Sequence, residues 1–208
     1  MGILADEIVI VCSVNTPETI YAIYALNRLG AIVNMVDPRT GAAGIHAYIC
    51  ESKARFAVTI EPAYSLMVKA AIDTSLQTII SISPSDSLSQ LKRILYRRKN
   101  KPVVLEKDAI TWQEFLSLGK NERIRDIPYC KERCCVIAHT GGTTGTPKGV
   151  MLSNENFNAV THGYRYLGIP FKRQHRCFND LSPFIMYGLC LGIPTTLCYG
   201  LEDFVSHL

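Results

Sequence analysis

Among its eight cysteines the sequence has no C-x-x-C pair, and it has only one tryptophan and no apolar run long enough to span a bilayer. A membrane helix needs roughly 18–20 apolar residues. The longest stretch here, 186–200, is interrupted by Pro194. The opening MGILADEIVIVCSV carries Asp6 and Glu7 where a secretory signal requires positive charge, so no export is expected. Asp6 also stands where myristoylation wants Ser or Thr. These readings point to a soluble, cytoplasmic protein. Its cysteines (Cys12, Cys50, Cys130, Cys134, Cys135, Cys177, Cys190 and Cys198) are then expected to be reduced. Cys130, Cys134, Cys135 and His139 lack the spacing of paired zinc ligands, and 134–138 reads as a buried strand. The other histidines, His46, His162, His175 and His207, show no metal-pair spacing either. The Gly-x-Ser-x-Gly elbow of serine hydrolases is absent, and there is no internal repeat. A net charge of +4 is too small to argue for nucleic acid.

What remains is a chain of 208 residues, 48% hydrophobic and 19% charged, which is a globular composition with enough length for a sizeable core. Residues 7–14 (EIVIVCSV) form a β-branched apolar run, hence a buried strand. Thr16 and Pro17 then supply a cap and a first helical residue, and Gly30 sits where a left-handed residue ends a helix. Strands at 31–36, 55–60 and 76–82 alternate with helices at 41–53 and 63–71. Strand and helix alternating through short connections predict an α/β fold with a mostly parallel sheet flanked by helices.

The alternation fails between Ser83 and Lys101. A polar loop there leads into LKRILYRRKNK, with Lys92, Arg93, Arg97, Arg98, Lys99 and Lys101. Leu88, Leu91 and Leu95 give this stretch one apolar helical face. Two readings follow: a solvated polar and basic insertion, or a helix making weak contact with a membrane surface through 92–101. Thr111 and Glu114 then have the spacing of a capping box.

The chemistry concentrates in 134–153, CCVIAHTGGTTGTPKGVMLS. A strand runs into Thr140, Gly141, Gly142, Thr143, Thr144, Gly145, Thr146, Pro147, Lys148 and Gly149; an apolar strand follows, and Ser153 caps a helix over 154–167. Glycines allow backbone N–H groups to approach an anion, threonine hydroxyls add donors, and Lys148 adds a compact cation. This is an anion cradle. The P-loop of NTPases is a different device, because there Gly-Lys-Ser/Thr opens a helix, whereas Lys148 precedes Gly149 and a strand.

TGGTTGTPKGVMLS resembles the phosphate-binding signature of the adenylate-forming (AMP-binding) superfamily, which includes acyl-CoA synthetases, peptide-synthetase adenylation domains and luciferases. The departure is Gly141, where the family usually has Ser or Thr. Upstream, 15–59 resembles the family's helix–strand–helix unit, and LSPFIMYGL resembles the segment that follows the loop, with Ile185 where many members carry His. The resemblance implies ATP-dependent activation of a carboxylic acid, of the fatty-acid type by analogy, as an acyl-adenylate, followed by transfer to a thiol such as coenzyme A. By position, Thr140, Gly141, Gly142, Thr143, Thr144, Gly145 and Lys148 would hold the ATP phosphates, Lys148 would be the catalytic residue, and Thr140 would also ligate Mg²⁺. Tyr187 and Gly188 would line the acyl channel. The resemblance reaches only the front of the family pattern, without its C-terminal domain. Residues 1–208 are therefore expected to be part of an N-terminal adenylation domain, inactive alone. A truncated relative acting as a binding module, or part of a peptide-synthetase adenylation domain, stays open as an alternative. The sequence does not select the acid or the thiol acceptor.

Overall fold

Four five-residue apolar runs, β1 (Ile8–Cys12), β2 (Ile32–Val36), β3 (Phe56–Ile60) and β4 (Thr78–Ile82), make the centre of one sheet in a computed structural model of the chain. The structure describes residues 2–101, 103–106, 108–122, 126–141 and 148–205. With β5 (Ala109–Thr111), β6 (Cys134–Thr140) and β7 (Lys148–Ser153) the strands are ordered β5-β4-β3-β1-β2-β6-β7. Every pairing in this sheet is parallel except β6 with β7. That is the expected α/β, mostly parallel architecture. Strands buried on both faces read as continuous apolar runs, which is why the central four were visible in the sequence.

Helix α1 (Pro17–Arg28) starts as its residues require: the Thr16 side chain accepts from the Thr19 amide, Pro17 occupies the first turn, and Gly30 follows at φ +73°. Helix α2 (Ala42–Ser52) carries the chain from β2 to β3. Because β2 and β3 flank β1 on opposite sides, right-handed crossovers put α1 and α2 on opposite faces of the sheet. Helix α3 (Tyr64–Ala71) packs beside α2. The core between these layers contains Ile10, Val11 and Val33 from the sheet, Ile45 and Ile49 from α2, and Met67 from α3, all with no measurable exposure. Each such side chain contributes about 1.5–3 kcal/mol by leaving water.

The basic stretch is helical as α4 (Gln90–Lys99), within the connection from β4 to β5, and no residue of it is buried. α5 (Trp112–Leu118) begins with the expected capping box: Thr111 Oγ1 accepts from the Glu114 amide, and the Glu114 carboxylate accepts from the Thr111 amide at 2.8 Å. The helix expected over 154–167 is α6 (Asn154–Gly163), and its last turn tightens to a 3₁₀ form at Tyr164–Leu167. Gly168 at φ +66° then ends it. A smaller pair of parallel strands, β8 (Arg176–Asn179) and β9 (Glu202–Val205), was not expected from the sequence. Between them lie a wide π-helical turn at Gly188–Gly192 and α7 (Ile193–Tyr199). α6 shares the α1 face, where the Asn27 side chain donates to Asn154 Oδ1 at 2.8 Å.

Candidate functional site

The cradle is held by the one antiparallel pairing of the large sheet. β6 runs parallel to β2, with Val136 beside Val33 and Ala138 beside Met35. β7 then returns along the outer side of β6 and sets Thr140 opposite Lys148 and His139 opposite Gly149. The two ends of the loop are thereby pinned across one rung of a ladder. Thr140 and Lys148 are both exposed, and Thr140 Oγ1 lies 3.5 Å from the Lys148 carbonyl oxygen. Among the described residues Lys148 has no carboxylate partner, so its ammonium is available to an anion. Gly142, Thr143, Thr144 and Gly145 lie outside the described residues. At Gly141 no described atom lies within 4 Å of where a Cβ would sit, and its φ is not positive.

Beneath the ladder is a polar anchor that sequence reasoning missed. His139 donates from Nε2 to Asn34 Oδ1 at 2.6 Å, and its ring stacks on Tyr48 with centroids 4.0 Å apart. Asn34 is buried within β2 and Tyr48 belongs to α2, so the last turn of β6 is tied to two elements. Burial pushes His139 below the ordinary histidine range, partly opposed by the Glu51 carboxylate, and Nδ1 has no partner among the described residues. The ring is a neutral strut. A signal existed: one asparagine in the otherwise apolar strand IVNMV.

The second predicted group, Tyr187 and Gly188, rests on the loop after β8. At the carboxyl end of β1, the buried Asn15 amide donates to the carbonyls of Asn179 and Leu181 at 3.2 and 2.8 Å. At the carboxyl end of β2, Arg39 is held by Asp37 (2.7 Å) and lies over the Phe184 ring at 5.3 Å. A Cβ at Gly188 would fall 2.3 Å from the Leu181 carbonyl oxygen, so only glycine lets the turn sit on that loop. Tyr187 is exposed, and Ile185 is also exposed. The loop between β6 and β7 and the 181–188 segment thus both attach at the carboxyl edge of the parallel sheet, where open α/β sheets bind ligands. A separate cleft of about 270 Å³ opens at the carboxyl ends of β3, β4 and β5, lined by Glu61, Ser81, Asp86, Tyr96, Arg97 and Thr111, and contains none of the residues predicted for ATP or the acyl channel.

Of the cysteines weighed as metal ligands, Cys134 donates to the Val136 carbonyl and Cys135 to the Leu152 carbonyl. Among the described residues no cysteine takes part in a disulfide. Among the described residues no helix is long and apolar enough to cross a membrane.

Comparison with known proteins agrees with this fold. The chain is 28% identical over 160 residues to a long-chain-fatty-acid–CoA ligase of Haemophilus influenzae, which covers 74% of this chain and 28% of that protein. It therefore spans little more than a quarter of that relative's length. Its fold matches that of a long-chain-fatty-acid-CoA ligase of Archaeoglobus fulgidus at a TM-score of 0.75 and 21% identity, over 98% of this chain and 36% of that one. ATP-bound MatB of Rhodopseudomonas palustris matches at a TM-score of 0.75 and 16% identity, over 99% and 36% of the two chains. The sequence model of the AMP-binding enzyme family matches residues 1–205, so the chain belongs to that family.

Proposed function

We propose that residues 1–208 form part of an adenylation domain in an acid–thiol ligase, and that they hold the phosphates of ATP while a carboxylic acid is activated. The observation that carries this reading is the rung joining Thr140 to Lys148, which fixes a hydroxyl and a cation at the two mouths of a glycine- and threonine-rich loop. A carboxylate attacking the α-phosphate expels pyrophosphate, whose charge grows next to Lys148. A positioned donor at such a place lowers the barrier by about 3–4 kcal/mol. The relatives' names support a fatty acid as the acid and coenzyme A as the thiol.

Thr140 offers one exposed hydroxyl oxygen at the mouth of the loop, which suits an Mg²⁺ ion that takes its other oxygens from phosphates and water. When bound, Mg²⁺ would neutralise charge on the triphosphate. Gly142, Thr143, Thr144 and Gly145 complete the proposed cradle, with Gly141 contributing backbone only. On the same reading Tyr187 faces the acyl path, and Gly188 serves by letting its turn lie against the Leu181 carbonyl.

In a complete adenylating enzyme carrying this segment, Lys148→Ala should slow adenylation by about tenfold or more. ATP–pyrophosphate exchange driven by fatty acids measures it. Unchanged exchange in that variant would leave the loop a structural or binding element and remove the catalytic assignment.

A further inference from the structure

Helix α4 is mounted inside out. Arg93 and Tyr96 are its least exposed residues, and the Arg93 guanidinium donates to the carbonyls of Ser85 and Asp86, clamping that side to the protein. Tyr96 and Arg97 line the cleft behind it. The apolar residues Leu91, Ile94 and Leu95, spaced three and four apart on one face, are therefore turned to solvent at 70%, 52% and 56% exposure. Arg98 lies within that face by helical spacing, and Lys92 and Lys99 flank it.

Charge says what covers this face. Residues 87–105 contain six cations and no acidic residue, more than the +4 of the whole chain, so the rest of the protein is net negative. A basic rim around an exposed apolar stripe matches an anionic bilayer surface, where leucines enter the acyl boundary and cations meet phosphates. An ordinary surface helix has the reverse arrangement, with its apolar stripe inward.

We propose that α4 is a docking surface for anionic lipid, laying Leu91, Ile94 and Leu95 into the interface with Lys92, Arg98 and Lys99 on headgroup phosphates. The proposal stands apart from ATP binding, since none of these residues belongs to the loop between β6 and β7.

The test is co-sedimentation of the 208-residue chain with vesicles of phosphatidylcholine alone or mixed with phosphatidylserine. The expected result is binding to the mixed vesicles only, weakening as salt rises. Leu91→Asn with Leu95→Asn should abolish it without lowering the thermal midpoint, because neither side chain is buried. Arg98→Gln should weaken it by about fivefold, the effect of one cation near such a surface. Equal binding of wild type and the double variant would overturn the proposal, as would no binding to either vesicle. Dimerisation of the free chain that the double variant abolishes would also overturn it, by assigning the face to a second copy.

Discussion

Lys148 and Thr140 meet across one rung, and the residue between them and the rest of the loop that departs from the family pattern is Gly141. Its φ does not demand glycine, and among the described residues nothing crowds its Cβ position. Gly141→Ser should therefore fold normally and, by adding a hydroxyl donor, strengthen ATP binding by about tenfold or more, the effect of one hydrogen bond to a charged group. Calorimetric titration with ATP decides it; weaker binding would mean that the loop needs bare backbone at 141. His139 carries a pH prediction. Burial holds its folded pKa below the ordinary value, so the unfolded chain takes up the proton first as pH falls below about 6.5. Its contribution is complete above that pH and is lost towards the folded value. The thermal midpoint of the native chain should fall more steeply on acidification than that of His139→Gln, and parallel slopes would contradict a buried neutral ring. The thiols divide by environment. Burial pushes Cys12 and Cys135 up to about 12, while Cys50 and Cys198 are exposed. Brief alkylation near neutral pH, read by mass spectrometry, should label Cys50 and Cys198 and spare the other two.

Elements whose signals are local were legible in the sequence. The apolar five-residue strands, the Thr16–Pro17 start of α1 and the capping box at Thr111 each depend on neighbours within a turn, and each formed within a residue or two of expectation. The order of strands was not legible, because β6 reaches β2 across a hundred residues of chain. β8 and β9 were missed for the same reason: their short, mixed sequences become strands only by pairing with each other. The mounting of α4 escaped as well, since periodicity reveals an apolar stripe without saying which way it faces. Of the candidate site, the two strands that flank the loop were legible from their apolar runs, while the strut of His139 on Asn34 and the packing demand at Gly188 are products of tertiary contact. Gly188→Ala would drive a methyl group into the Leu181 carbonyl and should cost about 1–3 kcal/mol in urea unfolding. A neutral result would show that the turn from 188 to 192 can shift away from the loop.

At the scale of the molecule, the sheet gathers two anchoring points at one edge: the ladder that holds the loop between β6 and β7, and the Asn15 and Arg39 contacts that hold the 181–188 segment. Parallel strands make this arrangement natural, because all their carboxyl ends open on the same side. The basic helix α4 borders the cleft at the carboxyl ends of β3, β4 and β5, on the other side of β1 from the loop between β6 and β7, so the proposed ATP and lipid contacts use different residues. We propose above all that the loop between Thr140 and Lys148 holds the phosphates of ATP. The most direct measurement is the thermal midpoint of the chain with increasing ATP and Mg²⁺, for wild type and Lys148→Ala. At ten times the dissociation constant, binding should add about 1.4 kcal/mol, roughly 3–5 °C in the midpoint, and most of that gain should vanish in the variant. No rise with ATP, or an equal rise in both proteins, would contradict the account.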